Sequence, residues 1–134
     1  MSMGNSATGR FEVKINPLEP FNKDEGSTLG RMSIEKQFKG DLEGSGKGEM
    51  LTGGDPKHGS AGYVAMEQVT GTLHGKRGTF LLQHNGSMNR GEQSLTITVV
   101  PDSGTGELTG LVGTLTIKIE DGQHFYEFKY TLPE

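Results

Sequence analysis

Cysteine is absent from this 134-residue chain, and its absence removes several kinds of chemistry at once. There can be no disulfide, no thiolate metal site and no cysteine nucleophile. Disulfides belong to oxidising compartments, so a chain without them favours a reducing cytoplasm. We therefore predict a cytoplasmic protein whose stability comes from packing and hydrogen bonding.

An excess of positive charge and long apolar runs are also missing. The chain has 13 basic and 17 acidic residues, a formal net charge of −4, so nucleic acid is not expected as a partner. No apolar run approaches the roughly 18 residues of a membrane helix, and the N-terminus lacks the apolar core of a signal peptide. The length suggests one domain spanning 1–134, with residues 1–8 as a flexible terminus.

Stretches suited to long helices are scarce because 22 glycines are spread along the whole chain. What lies between them is the period-2 alternation of apolar and polar residues that indicates strands. Eight strands are predicted, and Leu18–Thr28 and Thr52–Gly59 are expected to be longer polar loops. The strands are placed at about 9–16, 29–38, 42–51, the two arms of 59–87, 93–100, 108–119 and 123–132.

Two turns predict which residues of these strands face each other. Asp121-Gly122 is a strong type I′ signal, and it pairs large residues with small ones, as in Gly113 with Tyr130. A three-residue turn over 39–41 would likewise set Ile34 against Gly46 and Lys36 against Gly44. Large residues opposite glycines suit a narrow barrel with limited interior space. We predict an all-β fold, an eight-stranded antiparallel and mostly up-and-down barrel.

The central hairpin carries the candidate site. A turn at Gly75-Lys76 would place Glu67 directly opposite His84 on the more apolar, inward face. A carboxylate buried alone is costly, so an opposing imidazole is a plausible partner. The pair could act as an acid–base pair, anchor a ligand, or only satisfy itself. Other polar side chains predicted on inward faces are Lys36, Tyr63, Tyr126 and Tyr130.

Other motifs carry less. The run Gly44-Ser45-Gly46-Lys47-Gly48 lacks the spacing, the following Ser or Thr and the helix of a phosphate loop. The four histidines have no ligand-like local spacing, so a zinc site would depend entirely on the fold. We therefore predict neither a metal nor a cofactor.

Three runs of the sequence, GDLEGSGKGEML, GSAGYVAMEQVTGTLHGKRGTFLLQHNG and VVPDSGTGELTGLVG, resemble signature segments of a known family. It is a family of small, mainly bacterial proteins of unknown function, similar in fold to allene oxide cyclase. The resemblance covers about residues 9–132. It implies an eight-stranded barrel with an apolar interior that self-associates, and it transfers no catalytic residue.

Three functions remain open at this point. The first is binding of a small, largely apolar ligand in the barrel interior, oriented by Glu67, His84 and nearby tyrosines. The second is a structural barrel with a packed interior that assembles through outward residues such as Val64, Met66 and Leu81. The third is a cofactor-free isomerase or cyclase acting on an unsaturated lipid-like substrate, with Glu67 as its trigger.

Overall fold

The computed structural model describes residues 4–133, and these form a closed antiparallel barrel of eight strands. Each strand pairs with the next in the sequence, and the first pairs with the last. The predicted all-β, up-and-down barrel is confirmed. The strands are β1 Asn5–Leu18, β2 Gly30–Gly40, β3 Leu42–Asp55, β4 Ser60–Leu73, β5 Lys76–Asn89, β6 Glu92–Val99, β7 Val112–Glu120 and β8 Gln123–Thr131.

The expected flexible terminus over residues 1–8 is replaced in part by a strand. Asn5 lies opposite Tyr130 and Ala7 opposite Phe128, so β1 begins much earlier than predicted and closes the barrel against β8. Ala7 is fully buried, which explains why this segment is ordered. Residues 1–3 lie outside the described part of the chain.

The connections divide the barrel into two ends. The closed end carries the β2–β3 and β4–β5 turns and the segment 100–111, whose Leu108 and Leu111 are buried. The open end carries the loop 19–29, a 3-10 helix at Pro56–His58, and the turns at 90–91 and 121–122. Two expectations are corrected here. The strand β3 extends through the first half of the predicted Thr52–Gly59 loop, and β7 begins at Val112 rather than at 108.

Apolar side chains on the inward face fill the closed end. They form one cluster, which includes Phe11, Phe38, Leu42, Val69, Leu73, Phe80, Leu82, Ile97, Leu115, Tyr126 and Phe128. Toward the open end the same alternation leaves Ile15, Leu95 and Ile119 exposed. The interior is therefore packed at one end and accessible to solvent at the other.

The β7–β8 register is confirmed, because Gly113 lies opposite Tyr130 and Leu115 opposite Phe128. The central hairpin register is wrong by two residues. Glu67 lies opposite Leu82 and not opposite His84. The cause is the turn: His74 and Gly75 both have positive φ, 47° and 81°, so the pair forms the two-residue I′ turn.

The β2–β3 register is also two residues away from the prediction. Lys36 lies opposite Gly46 and Ile34 opposite Gly48. The Tyr126 hydroxyl accepts from the Leu42 N–H at 2.9 Å and donates toward the Lys39 carbonyl at 3.0 Å, which fixes the tip of this hairpin. Both predicted registers are wrong by two residues, and side chains on a strand alternate between its two faces. The side chains of these two hairpins therefore keep their predicted faces.

Among residues 4–133 there is no helix with the length and apolar character needed to cross a membrane.

Candidate functional site

Three polar side chains meet near the middle of the barrel interior, and we call them the polar cluster: Lys36, Glu67 and His84. Lys36 Nζ lies 3.1 Å and His84 Nε2 lies 2.9 Å from the same atom, Glu67 Oε1. The residues come from β2, β4 and β5 and are only 7%, 0% and 3% exposed. Glu67 and His84 are therefore diagonal neighbours across β4 and β5, and they contact each other despite the corrected register.

A glycine on the intervening strand makes room for this contact. Lys36 and Glu67 belong to β2 and β4, which both pair with β3. A Cβ built on Gly46 would lie 2.1 Å from Glu67 Oε2 and 3.2 Å from the Phe38 ring. The missing side chain at Gly46 leaves the space that the Glu67 carboxylate occupies beneath β3. The alternate glycines Gly44, Gly46 and Gly48 were the sequence signal for this space.

The cluster holds Glu67 in its ionised form. Burial by itself raises the pKa of this carboxyl, but the hydrogen bond from His84 and the positive charge of Lys36 outweigh it. The net pKa is therefore lowered from the ordinary glutamate value. An ionised carboxylate only accepts hydrogen bonds, so both Lys36 and His84 donate to it.

This arrangement assigns the histidine tautomer. Nε2 of His84 carries the proton that is donated to Glu67 Oε1, and in the tautomer with that single ring proton Nδ1 is an acceptor. The Tyr63 hydroxyl lies 3.5 Å from that Nδ1 atom and donates toward it. Burial, and then the negative charge of Glu67, raise the pKa of Tyr63, so its phenol keeps its proton at neutral pH.

The Lys36 ammonium also rests against aromatic rings. Its Nζ lies 4.9 Å from the centroid of Phe11 and 5.8 Å from that of Phe38. Aromatic faces attract a cation, and the effect grows when the group is removed from water. Lys36 is thus held from two sides, by the Glu67 carboxylate and by the packed aromatic end. The prediction that Lys36 points inward agrees with these contacts.

One carboxylate oxygen in the cluster lacks a partner. Glu67 Oε2 is buried and accepts no hydrogen bond from the described protein atoms. It packs directly against Gly46. Buried acceptors are nearly always satisfied, so this atom marks the least compensated point of the interior.

A cavity of about 420 Å³ lies at the open end, above the polar cluster. Its wall is mainly apolar and rich in methionine. The lining includes Met32, Met50, Ala61, Tyr63, Gly86 and Met88. Tyr63 is the member that also contacts the cluster, through His84. The methionines were not among the predicted site residues, although their alternation places them on inward faces.

Two of the six predicted site residues lie elsewhere. The Tyr126 hydroxyl is used by the backbone at the β2–β3 turn, as described above. The Tyr130 hydroxyl contacts His74 Nδ1 at the closed end. Both rings pack in the apolar cluster, and neither lines the open cavity. The structure therefore brings together Lys36, Tyr63, Glu67 and His84.

Within the described range, no three His, Asp or Glu side chains are gathered in a way that could hold a metal ion. The buried polar cluster contains only one carboxylate and one imidazole, and a lysine ammonium occupies the remaining side.

Comparison with known proteins supports the sequence resemblance. Residues 7–130 match the family model described as "Protein of unknown function (DUF3224)". A similar solved structure is that of a protein with unknown function from the DUF3224 family of Shewanella oneidensis MR-1. It is 49% identical, with a TM-score of 0.92, and the match covers 98% of this chain and 99% of that one. No curated protein matches the chain.

Proposed function

The chain belongs to the DUF3224 family of proteins of unknown function, and we propose that it binds a small, largely apolar ligand in the open end of its barrel. The observation that carries this proposal is the cavity of about 420 Å³, whose wall is mostly apolar with a few polar groups. That volume and composition are typical of small-molecule sites. The polar cluster would form a rigid floor beneath it.

The lining itself suits an adaptable apolar site. Met32 and Met50 face each other across β2 and β3, and Met88 lies on β5. Methionine is flexible and polarisable, so it can follow the shape of different apolar ligands. Gly86 leaves room for the Tyr63 ring, because a Cβ there would lie 2.3 Å from Tyr63 Cε1.

Filling the cavity should abolish binding. We would titrate the neutral fluorophore N-phenyl-1-naphthylamine into the protein and follow the rise in its emission. Replacing Ala61, which lines the cavity, by Phe should weaken binding at least about tenfold, or about 1.4 kcal/mol. The matched control is Val64→Phe on the outward face of the same strand, and it should change the affinity less than about twofold.

Circular dichroism and thermal unfolding of both variants would show that they fold. The proposal fails if the wild-type protein does not bind the fluorophore. It also fails if folded Ala61→Phe binds as tightly as the control.

Two alternatives receive less support. A cyclase or isomerase triggered by Glu67 would need that carboxylate at the ligand, yet Glu67 is fully buried and does not line the cavity. Self-association through the outer face was predicted from Val64, Met66 and Leu81. Val64 and Met66 are exposed, with the exposed Leu51 opposite Val64 on β3, whereas Leu81 is half-buried. Such a patch is compatible with ligand binding at the open end, so it does not compete with the proposal.

A further inference from the structure

We infer that the ligand carries an uncharged hydroxyl group, which binds to the Tyr63 hydroxyl and extends the hydrogen-bonded chain from Tyr63 through His84 to Glu67. This inference rests on the proposed function and specifies the chemical class of the ligand.

The cavity is surrounded by uncharged side chains. Among the described residues, its lining contains no Lys, Arg, His, Asp or Glu. An ionised head group would lose its hydration there without gaining a counterion, which is strongly unfavourable. The nearest buried cation of the cluster, Lys36, is already committed to Glu67 at 3.1 Å. An anionic ligand therefore finds no partner.

The electrostatic field at Tyr63 also disfavours an anionic ligand. The pKa of this phenol is raised by its burial and, next, by the negative charge of Glu67. The environment of the phenol oxygen thus disfavours additional negative charge. A carboxylate placed beside Tyr63 would meet the same repulsion that opposes ionisation of the phenol.

The directions of the hydrogen bonds between Glu67, His84 and Tyr63 favour a ligand group that donates. Glu67 accepts from His84 Nε2 at 2.9 Å, which leaves His84 Nδ1 to accept from Tyr63 at 3.5 Å. While the Tyr63 O–H donates a hydrogen bond to His84, the phenol oxygen still has lone pairs that can accept one. A ligand group that donates completes the chain, whereas a group that only accepts must compete with His84 for the phenol proton.

The length of the Tyr63–His84 contact also favours a ligand that donates a hydrogen bond to Tyr63. At 3.5 Å it lies beyond the usual range for a hydrogen bond to nitrogen, so the phenol is only weakly engaged. A hydroxyl that donates to Tyr63 would polarise the phenol and tighten its bond to His84. Hydrogen bonds in such chains strengthen one another in a site removed from water.

The test is displacement of N-phenyl-1-naphthylamine by three compounds of matched chain: 1-decanol, methyl decyl ether and decanoate at pH 7. We expect 1-decanol to displace the fluorophore at a concentration at least about tenfold below decanoate and at least about threefold below the ether. The ether accepts hydrogen bonds but cannot donate, so it isolates the donor.

The variant Tyr63→Phe assigns the effect to the phenol. With the affinity of this variant for the fluorophore measured separately, the advantage of the alcohol over the ether should fall below about twofold. Ser87→Ala removes a hydroxyl from the outward face of β5, one residue beyond Gly86, and is the control that should leave the advantage unchanged.

The outcomes separate the two proposals. If the fluorophore does not bind, or if Ala61→Phe does not block it, the proposed function itself fails. If the fluorophore binds and is blocked, but decanoate displaces it as well as 1-decanol, only the inference is overturned. An alcohol advantage that persists in folded Tyr63→Phe also overturns it.

Discussion

At the scale of single residues, one glycine decides whether the interior can hold charge. Gly46 lies on β3 between the strands that carry Lys36 and Glu67. Because Gly46 has no side chain, there is room for the Lys36 ammonium and the Glu67 carboxylate to meet at 3.1 Å. A buried carboxylate that lost this partner would cost several kcal/mol. The charge pair therefore depends on a residue that contributes no functional group.

Replacing Gly46 by Ala should destabilise the protein by about 1–3 kcal/mol, because the new Cβ would overlap Glu67 Oε2. The carboxylate would have to shift away from the new Cβ, which disturbs the contacts of its other oxygen with Lys36 and His84. Urea unfolding measures the loss. Gly62→Ala on β4 is the matched control, since its Cβ would meet only one atom, at 3.7 Å, and it should cost less than about 0.5 kcal/mol.

A double-mutant cycle assigns this cost to the Glu67 carboxylate. In a Glu67→Ala background the overlapping atom is gone, so Gly46→Ala should cost clearly less than in the wild type. Equal costs in both backgrounds would show that the strain arises elsewhere, for example against the Phe38 ring.

At the scale of elements, the turns set the register and the alternation sets the faces. The register of β7 and β8 was predictable because Asp121-Gly122 is an unambiguous I′ signal. The register of the central hairpin was mispredicted because its turn was placed at Gly75-Lys76, whereas the two-residue turn is His74-Gly75. A histidine with φ 47° is uncommon, and the turn at His74-Gly75 places Glu67 opposite Leu82.

The turn at His74-Gly75 offers a prediction at this scale. Gly75 has φ 81° and no atom within 4 Å of an added Cβ, so only backbone strain opposes substitution. Gly75→Ala should lower the unfolding free energy by about 1–2 kcal/mol. Gly75→Asn should cost clearly less, because asparagine tolerates this conformation. Equal losses in urea unfolding would contradict the assignment of strain to this turn.

At the scale of the whole molecule, the barrel is layered along its axis. Apolar side chains fill the closed end, the polar cluster lies in the middle, and the open end holds the cavity. The cluster separates a packed core from a solvent-accessible space. Its ionisation state therefore contributes to the stability of the whole barrel as well as to the floor of the cavity.

The acid stability of the barrel follows from Glu67. Its pKa is lowered in the folded state, so its contribution is present above the unfolded value of about 4.3 and is lost as the pH falls below that value. The double variant Lys36→Met/Glu67→Gln removes both charges and should stay folded. Its unfolding free energy should fall less between pH 5 and pH 3 than that of the wild type.

Urea unfolding at several pH values checks this expectation. The remaining carboxylates are common to both proteins, and Lys36, His84 and Tyr63 are the ionisable groups that face Glu67. Parallel pH profiles would mean that Glu67 does not titrate differently in the folded and unfolded states.

Much of the site was predictable, and the remainder has identifiable causes. Glu67 and His84 were placed in the interior because alternation survives an even register error. Their partner Lys36 was assigned to the correct face but opposite Gly44 instead of Gly46. Tyr126 and Tyr130 share the inward face yet serve the closed end, since a face assignment does not give a height along the barrel axis.

The sequence by itself determined the family, the strands and their inward faces, because composition, turn residues and period-2 alternation are local properties of the chain. Only the tertiary structure decided that Lys36, Glu67 and His84 meet, and that one end is packed while the other is open. These features depend on closure of the barrel, which brings distant strands to one height. Absences in the sequence excluded cysteine chemistry, and an absent side chain at Gly46 made room for the polar cluster.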